Sequence, residues 1–333
     1  MNDVYDIYSW FWDSRYGVDF QEVSGKVDIE ELWLRSRLLM LNKDKRKARE
    51  EYIGWFKPEI TLKNKKQLAD TVSKVTSSNL SRYSILIKIN FKLKKPYLSK
   101  DDDNFYIIDN PIVKDKVFKL PMVRATTWKG ALRFAAMKVF EKEFNKSNWK
   151  EARALLVRLF GNEKDSLESY LNKFIASKLG KDVNYVKEEF EKYLVEKGYV
   201  SEEIPSRAGR LFFYPTFFEK ISLDVITPLS RKTKTPTRGP IYFEVVKGDG
   251  DTFRLLYYPF DLIARGKLER IKEEMKEDLK FLAKALKKMF FETSFSAKKS
   301  SGFGAVEQIN DSDIEVNGFK SDEVKNIIKN ILS

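Results

Sequence analysis

The segment LPMVRATTWKGALR, residues 120–133, joins an apolar stretch to the first turns of a helix. We expect Thr126 or Thr127 to cap this helix, because a hydroxyl oxygen satisfies one of the amides that the first turn leaves free. The other amides and the positive end of the helix dipole then favour an anion such as a phosphate. Lys129 and Arg133 are spaced to share a face beside that anion, and Gly130 would let another backbone approach closely. The alternative is an ordinary capped helix with two solvated cations.

The loop at residues 230–239, SRKTKTPTRG, is basic and contains no acid. Like charges this close repel, so the loop gains from neutralisation by a polyanion, and its prolines reduce the ordering cost of binding. A solvated basic turn is the alternative. The cations of this loop are Arg231, Lys232, Lys234 and Arg238.

A third basic stretch, SAKKSSGFGAVE at residues 296–307, follows a long amphipathic helical pattern. Its glycines free the backbone to present successive amides to an anion, and the aromatic ring between them offers a stacking face for a base. The G-K-[ST] ending of a nucleotide-triphosphate loop is missing. A glycine turn that enters a final strand is the alternative. The residues expected to contact a nucleic acid here are Lys298, Lys299, Ser300, Ser301, Gly302, Phe303 and Gly304.

Acidic residues matter for catalysis, because the sequence contains neither histidine nor cysteine. These absences remove the commonest general base, imidazole and thiolate metal ligands, disulfides and cysteine nucleophiles. Asp101 to Asp103 are consecutive and cannot all face one ion, so a solvated loop is expected there. Asp109 lies between an apolar segment and Pro111, just ahead of the junction, where a single carboxylate could meet an RNA backbone. An N-cap or an Asx-turn is the alternative role for Asp109.

The net charge favours a polyanionic partner. Basic residues number 62 and acidic residues 49, which gives a charge of +13 and a pI near 9.4. A field of this sign attracts nucleic acid first and an anionic membrane second. No apolar run approaches the roughly 20 residues of a spanning helix, and the amino terminus is acidic where a signal peptide would be basic. We therefore expect a cytoplasmic nucleic-acid-binding protein without a membrane partner.

Hydrophobic spacing predicts an α+β fold with a mostly antiparallel sheet. Helical spacing predicts a helix from Thr127 to about Asn145, a helical insertion over about 149–197 and a long amphipathic helix from about Leu268. The predicted strands lie at about 84–93, 210–218, 221–226, 241–246 and 252–260, with short extended pieces at 106–109, 111–113 and 119–123. Residues 1–83 are interpreted as a helix-rich N-terminal extension of a main domain over 84–333.

In their order along the chain, these segments resemble those of the RAMP superfamily, the RNA-binding subunits of CRISPR effector complexes. The strand at 84–93 resembles that family's first strand, and IDNPIVKD at 108–115 resembles its aspartate-proline segment. The junction at 120–133 resembles its PGSSLKGxxR-type loop, and SSGFGAVE at 300–307 resembles its glycine-rich loop. The likeness spans about residues 84–310.

The resemblance implies a modified ferredoxin-like or RRM-like core that serves as a backbone-like, guide-RNA-binding subunit of a type III CRISPR complex. It implies that residues 224–242, around the basic loop, form a thumb-like hairpin that wedges between segments of the guide-target duplex. In the backbone subunits that cut target RNA, an aspartate precedes the Asn/Ser-Pro-Val/Ile segment, and Asp109 is the matching residue. The resemblance therefore implies metal-dependent cleavage, in which the adjacent ribose hydroxyl attacks the phosphate. Mg²⁺ is the ion expected for cleavage, whereas RNA binding needs no cofactor.

Three functional hypotheses follow. The first is a structural subunit that binds guide RNA and target RNA among other CRISPR effector subunits. The second is a target-RNA endonuclease subunit that uses Asp109 and a divalent metal within the assembled complex. The third, a stand-alone guide-RNA processing nuclease, is disfavoured because the usual histidine is absent. The residues predicted to contact RNA are Arg124, Thr126, Thr127, Lys129, Gly130, Arg133, Arg231, Lys232, Lys234, Arg238, Lys298, Lys299, Ser300, Ser301, Gly302, Phe303 and Gly304.

Overall fold

The computed structural model describes residues 32–40, 44–56, 59–62, 68, 80–101, 106–162, 166–230, 232–237, 239–248, 250–265 and 268–332. The chain divides into two compact units. The first unit comprises Met1–Lys66, Leu98–Pro121 and Phe218–Lys247, and the second comprises Gln67–Tyr97, Met122–Phe217 and Gly248–Ser333. Much of the extension predicted over residues 1–83 lies outside the described residues, so its boundary stays a prediction.

Helices and antiparallel strands are mixed along the described chain, as predicted for an α+β fold. The helices are α1 Leu32–Met40, α2 Lys45–Trp55, α3 Ala125–Lys142, α4 Trp149–Phe160, α5 Ser166–Leu179, α6 Val183–Glu196, α7 Phe260–Arg265, α8 Leu268–Lys288 and α9 Ser321–Leu332. The strands are β1 Ile60–Thr61, β2 Ile85–Lys92, β3 Met122–Val123, β4 Leu211–Phe213, β5 Thr216–Phe217, β6 Lys220–Ile226, β7 Ile241–Val245, β8 Gly250–Tyr257 and β9 Ile314–Gly318. Among the described helices, none has both the length and the apolarity that crossing a bilayer requires.

A four-stranded antiparallel sheet with the order β4-β8-β2-β9 lies in the second unit. The strand predicted over 84–93 is confirmed as β2. Apolar and polar residues alternate along β2 because its two faces differ: Ile87, Ile89 and Phe91 are buried on one face, and Asn90 is exposed on the other. Along the chain, the sheet and its long helices follow the order β2, α3, β4, β8, α8, β9.

Helices α3 and α8 pack against each other beside this sheet. Trp128 of α3 meets Phe91 of β2 and Phe253 of β8, with ring centroids 5.8 and 4.9 Å away. Phe290, in the π-helical turn Met289–Thr293 that follows α8, contacts the same two strand residues. The apolar face of the sheet is therefore covered by α3 and by the end of α8, which fixes where α3 begins.

The predicted helical insertion contains α4, α5 and α6. A buried ionic network joins it to the rest of the second unit: Arg158 of α4 donates to Asp278 of α8, with Nε and Oδ1 2.8 Å apart. Arg210, which precedes β4 and is fully buried, donates to Asp278, Glu274 and Asp261. Burial opposes the charge of Asp261, but Arg210 beside it lowers the pKa of that carboxyl to about 2.

The first unit contains a three-stranded antiparallel sheet with the order β1-β6-β7. Strands β6 and β7 form a hairpin, paired from Ser222↔Val245 to Ile226↔Ile241. This hairpin lies where the thumb-like hairpin of residues 224–242 was predicted, and the basic loop is its tip.

The structure corrects two sequence predictions about short segments. Residues 106–109 and 111–113, which were predicted as extended pieces, form no strand. Within the third predicted piece, 119–123, only Met122–Val123 forms a strand, β3, which pairs with β5. Single backbone hydrogen bonds hold this region instead: the amide of Asp101 donates to the carbonyl of Pro111, and the amide of Glu244 donates to the carbonyl of Asn110. The C-terminal helix α9 was not predicted at all, although its apolar residues recur at helical spacing and are buried.

Candidate nucleic-acid interface

Helix α3 begins at Ala125 rather than Thr127 and ends at Lys142 rather than Asn145. Its N-cap is Arg124, in an extended conformation and without a side-chain capping hydrogen bond. The predicted hydroxyl cap is therefore wrong, because Thr126 and Thr127 lie inside the first turn. Geometry leaves the first amides of any α-helix without a helical acceptor, so donors still point away from this end.

The indole of Trp128 fixes the first turn of α3 to the core. Its ring is fully buried, and Nε1 donates to Thr216 Oγ1 at 3.1 Å. The Thr216 hydroxyl in turn donates to the carbonyl of Thr252 on β8, at 3.0 Å. Packing against the core thus explains why a tryptophan stands in this junction. Because Trp128 points inward, the outer face of the helix is formed by other side chains.

The outer face of the first half of α3 is basic and partly aromatic. Thr126, Gly130 and Phe134 are exposed, and Lys129 and Arg133 are half-buried. A Cβ built on Gly130 would meet no atom of the described chain within 4 Å. Among the described residues there is thus room beside Gly130, and the close approach of another backbone there stays a prediction.

The glycine-rich loop at residues 298–304 is a tightly bonded turn. Lys298, Gly302 and Gly304 have positive φ angles of 51°, 79° and 70°. A Cβ on Gly304 would lie 2.4 Å from Ser296 Cβ, so glycine is required there for packing as well as for conformation. The amides of Ser301, Gly302 and Gly304 donate to the carbonyls of Lys298, Lys299 and Pro96. The predicted presentation of successive amides to an anion is therefore wrong for these three, and the loop offers side chains instead.

The glycine-rich loop and the start of α3 meet within the second unit. The ring of Phe295, just before the loop, lies 4.3 Å from that of Trp128 by centroid. Lys299 Nζ lies 5.3 Å from the ring centroid of Phe134, and burial lowers the pKa of this lysine from its ordinary value. Phe303 is half-buried, and the stacking role of its ring stays a prediction. Two stretches far apart in sequence thus form one surface.

Lys95 joins this surface and was missed by the sequence analysis. The segment after β2 is bonded to the residue that follows the glycine-rich loop, since the amide of Lys95 donates to Ala305 O at 3.2 Å. A Cβ on Gly302 would lie 2.8 Å from Lys95 Nζ, so the absence of a side chain at Gly302 makes room for this ammonium. The cluster of basic residues KLKK before Pro96 was the available signal. We define the junction surface as Lys95, Lys129, Arg133, Lys298 and Lys299.

The described residues of the basic loop, 230, 232–237 and 239, form a turn at the tip of the hairpin in the first unit. Ser230 N donates to Thr235 O at 2.8 Å, and Lys234 N donates back to Ser230 O at 3.0 Å. Lys232 and Lys234 are exposed, whereas Arg231 and Arg238 lie outside the described residues. The tip therefore presents cations on a turn that its own backbone holds.

Asp109 is exposed in the first unit. Its side chain is 76% exposed, and one carboxylate oxygen lies 3.5 Å from Nη2 of Arg49 on α2. Arg49 Nε also donates to Ile107 O at 3.4 Å. The side chain of Arg49 therefore links α2 to the segment that carries Asp109.

A buried cluster around Glu244 positions the segment after Asp109. Glu244 on β7 pairs with Lys114 and accepts from the hydroxyl of Tyr106 at 2.7 Å. Its second carboxylate oxygen accepts from the amide of Ile112 at 2.9 Å. Burial raises the pKa of Tyr106 to about 12. Burial alone would lower the pKa of Lys114, but Glu244 outweighs it and holds that pKa above its ordinary value.

The residues present fit Mg²⁺ only if RNA phosphates and water supply the rest of its ligands. In the part of the chain that the structure describes, no group of three or more acids could hold a metal ion. Mg²⁺ commonly binds through one or two carboxylates together with substrate phosphates and water. Asp109 is exposed enough to act as one such ligand, and a bound Mg²⁺ would supply charge stabilisation at a phosphate.

A sequence profile of the RAMP superfamily matches residues 33–307. The chain belongs to the RAMP superfamily. The match includes the junction, Asp109, the hairpin and the whole stretch at 296–307, and it begins at residue 33, well before residue 84. The family resemblance seen in the motifs is confirmed.

Two curated proteins are similar in sequence to a part of this RAMP chain. Both are ribosomal RNA small subunit methyltransferase A, from Borreliella burgdorferi strain ZS7 and strain ATCC 35210 / DSM 4680 / CIP 102532 / B31. Each is 28% identical over 138 residues, which is 41% of this chain and 41% of the relative. The chain therefore spans about two fifths of the length of these relatives, and their activity is stated of them alone.

Two solved structures resemble the RAMP chain weakly. A chain of the type III-B Cmr-beta complex bound to cognate target RNA is 15% identical, with a TM-score of 0.44 over 93% of this chain and 87% of that chain. A chain of a CRISPR RNA-guided surveillance complex, pre-nicking, is 12% identical, with a TM-score of 0.34 over 67% of this chain and 76% of that chain. The family assignment rests on the profile match.

Proposed function

We propose that this RAMP protein is a guide-RNA-binding structural subunit of a type III CRISPR interference complex that contacts the guide-target RNA duplex. The observation that best supports this proposal is the contact between the glycine-rich loop and α3, two segments that were independently predicted to bind RNA. Lys299 of the glycine-rich loop lies 5.3 Å from the ring of Phe134, which follows Arg133 on α3. This contact supports the proposal that the cations of both segments act together on one RNA strand.

The proposed contacts are ionic and largely independent of sequence. Lys and Arg side chains carry a positive charge and only donors, so the junction surface suits the negatively charged phosphate oxygens, and such contacts carry no sequence information. The hairpin tip, with Lys232, Lys234, Arg231 and Arg238, is proposed as a second set of phosphate contacts. Its turn is held by its own backbone hydrogen bonds, which lowers the entropy cost of binding.

The sheet supports the finer fold assignment. The order β2, α3, β4, β8, α8, β9 follows a β-α-β-β-α-β pattern, and the antiparallel strand order β4-β8-β2-β9 places the first and third strands at the centre. We therefore propose that the second unit is built on a ferredoxin-like core of the RRM type. The helical insertion then falls between its first helix and second strand, and the hairpin between its second and third strands.

Salt-dependent RNA binding tests the proposal. Fluorescence anisotropy of the full chain with labelled guide-like RNA, single-stranded and annealed to a complementary target, measures the affinity from about 50 to 200 mM salt. Because each neutralised phosphate releases counterions, we expect the affinity to fall by about 10³-fold or more if at least six phosphates are contacted. An affinity that stays constant over this range would exclude phosphate binding by these cations.

A second candidate function is cleavage of target RNA with Asp109 and Mg²⁺ as participants. It is favoured by the exposure of Asp109 at the end of a segment that the buried Glu244 cluster fixes in place. In the assembled complex supplied with Mg²⁺ and complementary RNA, Asp109→Ala should abolish cleavage and leave RNA binding nearly unchanged. Continued cleavage by the variant would remove Asp109 from the reaction.

The partners proposed for the chain are guide RNA, target RNA and other CRISPR effector subunits. Co-purification from the native cell, followed by sequencing of bound RNA and identification of neighbouring proteins, tests this set. The third hypothesis, stand-alone guide-RNA processing, has no further support in the described residues. Incubation of the isolated chain with precursor repeat RNA tests it, and an uncut precursor would exclude it.

A further inference from the structure

A row of cations and exposed aromatic rings leads from the glycine-rich loop along α3 to α5. Lys299 Nζ lies 5.3 Å from the ring centroid of Phe134. Lys138 Nζ lies 5.6 Å from that same centroid and 5.7 Å from the ring centroid of Tyr170. These four residues, all of the second unit, are called the cation–aromatic row.

The two rings of the row are large apolar groups at the surface. Phe134 is 37% and Tyr170 42% exposed. Lys138 is bound to Glu141 at 2.8 Å, so the middle of the row carries little net charge. On α5, the described charged side chains are Lys173 and Lys178, and both are exposed. The row thus begins at Lys299 and ends at Tyr170 on α5, the helix that carries these two exposed lysines.

This composition suits unpaired bases better than duplex RNA. Proteins that bind single strands combine a cationic path for the backbone with aromatic side chains on which successive bases stack. An exposed cation–π contact contributes about two- to five-fold to a binding constant, whereas one stacked base contributes about five- to 150-fold. On these magnitudes we expect a base to replace the ammonium of Lys299 on the ring of Phe134 and to release that ammonium to a neighbouring phosphate.

We infer that the cation–aromatic row binds a single-stranded RNA segment that continues from the junction surface, with one base stacked on Phe134 and another on Tyr170. This inference rests on the proposed RNA-binding function. It adds the helical insertion to the RNA path and gives α5 a role in contacting unpaired nucleotides.

The test uses the full chain and short single-stranded RNAs that carry 2-aminopurine at successive positions. Phe134→Ala and Tyr170→Ala should each weaken binding by about five- to 150-fold and reduce the quenching of 2-aminopurine. Phe134→Trp, which keeps a stacking ring, should retain both the affinity and the quenching. The matched control is Phe212→Ala, because Phe212 is 43% exposed but lies on strand β4, and it should change neither.

The outcomes separate this inference from the proposed function. If the unmodified chain binds RNA and both alanine variants bind it equally well with unchanged quenching, the cation–aromatic row is not a stacking site. If those variants bind RNA normally but lose a protein subunit on co-purification, the row is a protein interface and the inference is wrong. If the unmodified chain binds no RNA, the proposed function itself fails.

Discussion

Lys114 and Glu244 form an ion pair that is almost completely removed from water, with 7% and 0% of their side chains exposed. The hydroxyls of Tyr52 and Tyr106 also donate to Glu244, and its second oxygen accepts from the amide of Ile112. One carboxylate therefore joins α2, the segment after Asp109 and strand β7 within the first unit.

Glu244→Gln should destabilise the chain strongly. The substitution leaves the ammonium of Lys114 buried without its counter-charge, and breaking a buried pair in this way costs about 3–5 kcal/mol of unfolding free energy. Urea unfolding measures the loss, with Glu219→Gln as the control because Glu219 is exposed. Adding Lys114→Met to Glu244→Gln should recover part of the stability; equal losses in the single and double variants would contradict this account.

The ionic network predicts a pH dependence through Asp261. Its pKa is about 2 in the folded chain, compared with the ordinary value of 3.8, and its side chain is 12% exposed. A carboxyl with a depressed folded pKa stabilises the protein above its unfolded pKa, and this contribution is lost as the pH falls through the folded pKa. The shift corresponds to about 2 kcal/mol. We expect the stability difference between the unmodified chain and Asp261→Asn in urea unfolding to shrink from about pH 5 to about pH 2; a constant difference would refute the assignment.

The hydrogen bond from Trp128 to Thr216 should be a measurable part of the stability of the second unit. Thr216→Val keeps the shape of the side chain but leaves the buried indole N–H and the Thr252 carbonyl without this hydroxyl. The expected cost is about 1–3 kcal/mol of unfolding free energy. A double-mutant cycle with Trp128→Phe isolates the bond, and additive effects of the two changes would show that the bond contributes nothing. Thr235→Val, at the exposed hairpin tip, is the control.

Removing one cation of the junction surface should change the salt dependence of RNA binding. Lys299→Ala should lower the slope of log affinity against log salt by about 0.7, the value expected for one phosphate of a single strand. Lys187→Ala provides the comparison, since Lys187 is an exposed lysine on α6 that pairs with Glu191. Parallel salt titrations of the two variants decide the matter: identical slopes would remove Lys299 from the phosphate contacts.

Local sequence patterns were sufficient for several elements of this fold, but not for β9 or α9. The alternation over 84–93 predicted β2, because a strand places successive side chains on opposite faces and only one of these faces is buried. Helical spacing predicted α3 and α8 to within a few residues at their ends. The order of the motifs along the chain was sufficient to predict the family. Capping was mispredicted, because the burial of Trp128 sets where α3 begins, and no local rule includes that contact.

The sequence by itself determined the mixed α+β class, the strong positive charge, the absence of histidine and cysteine chemistry, and the membership of the RAMP superfamily. Tertiary structure alone decided which cations share a surface and which acids are buried. Lys95 meets Gly302, and Glu244 meets Lys114 across 130 positions. The physical reason is that propensity and periodicity act between near neighbours in the chain, whereas burial and charge pairing depend on distances that only the packed fold establishes.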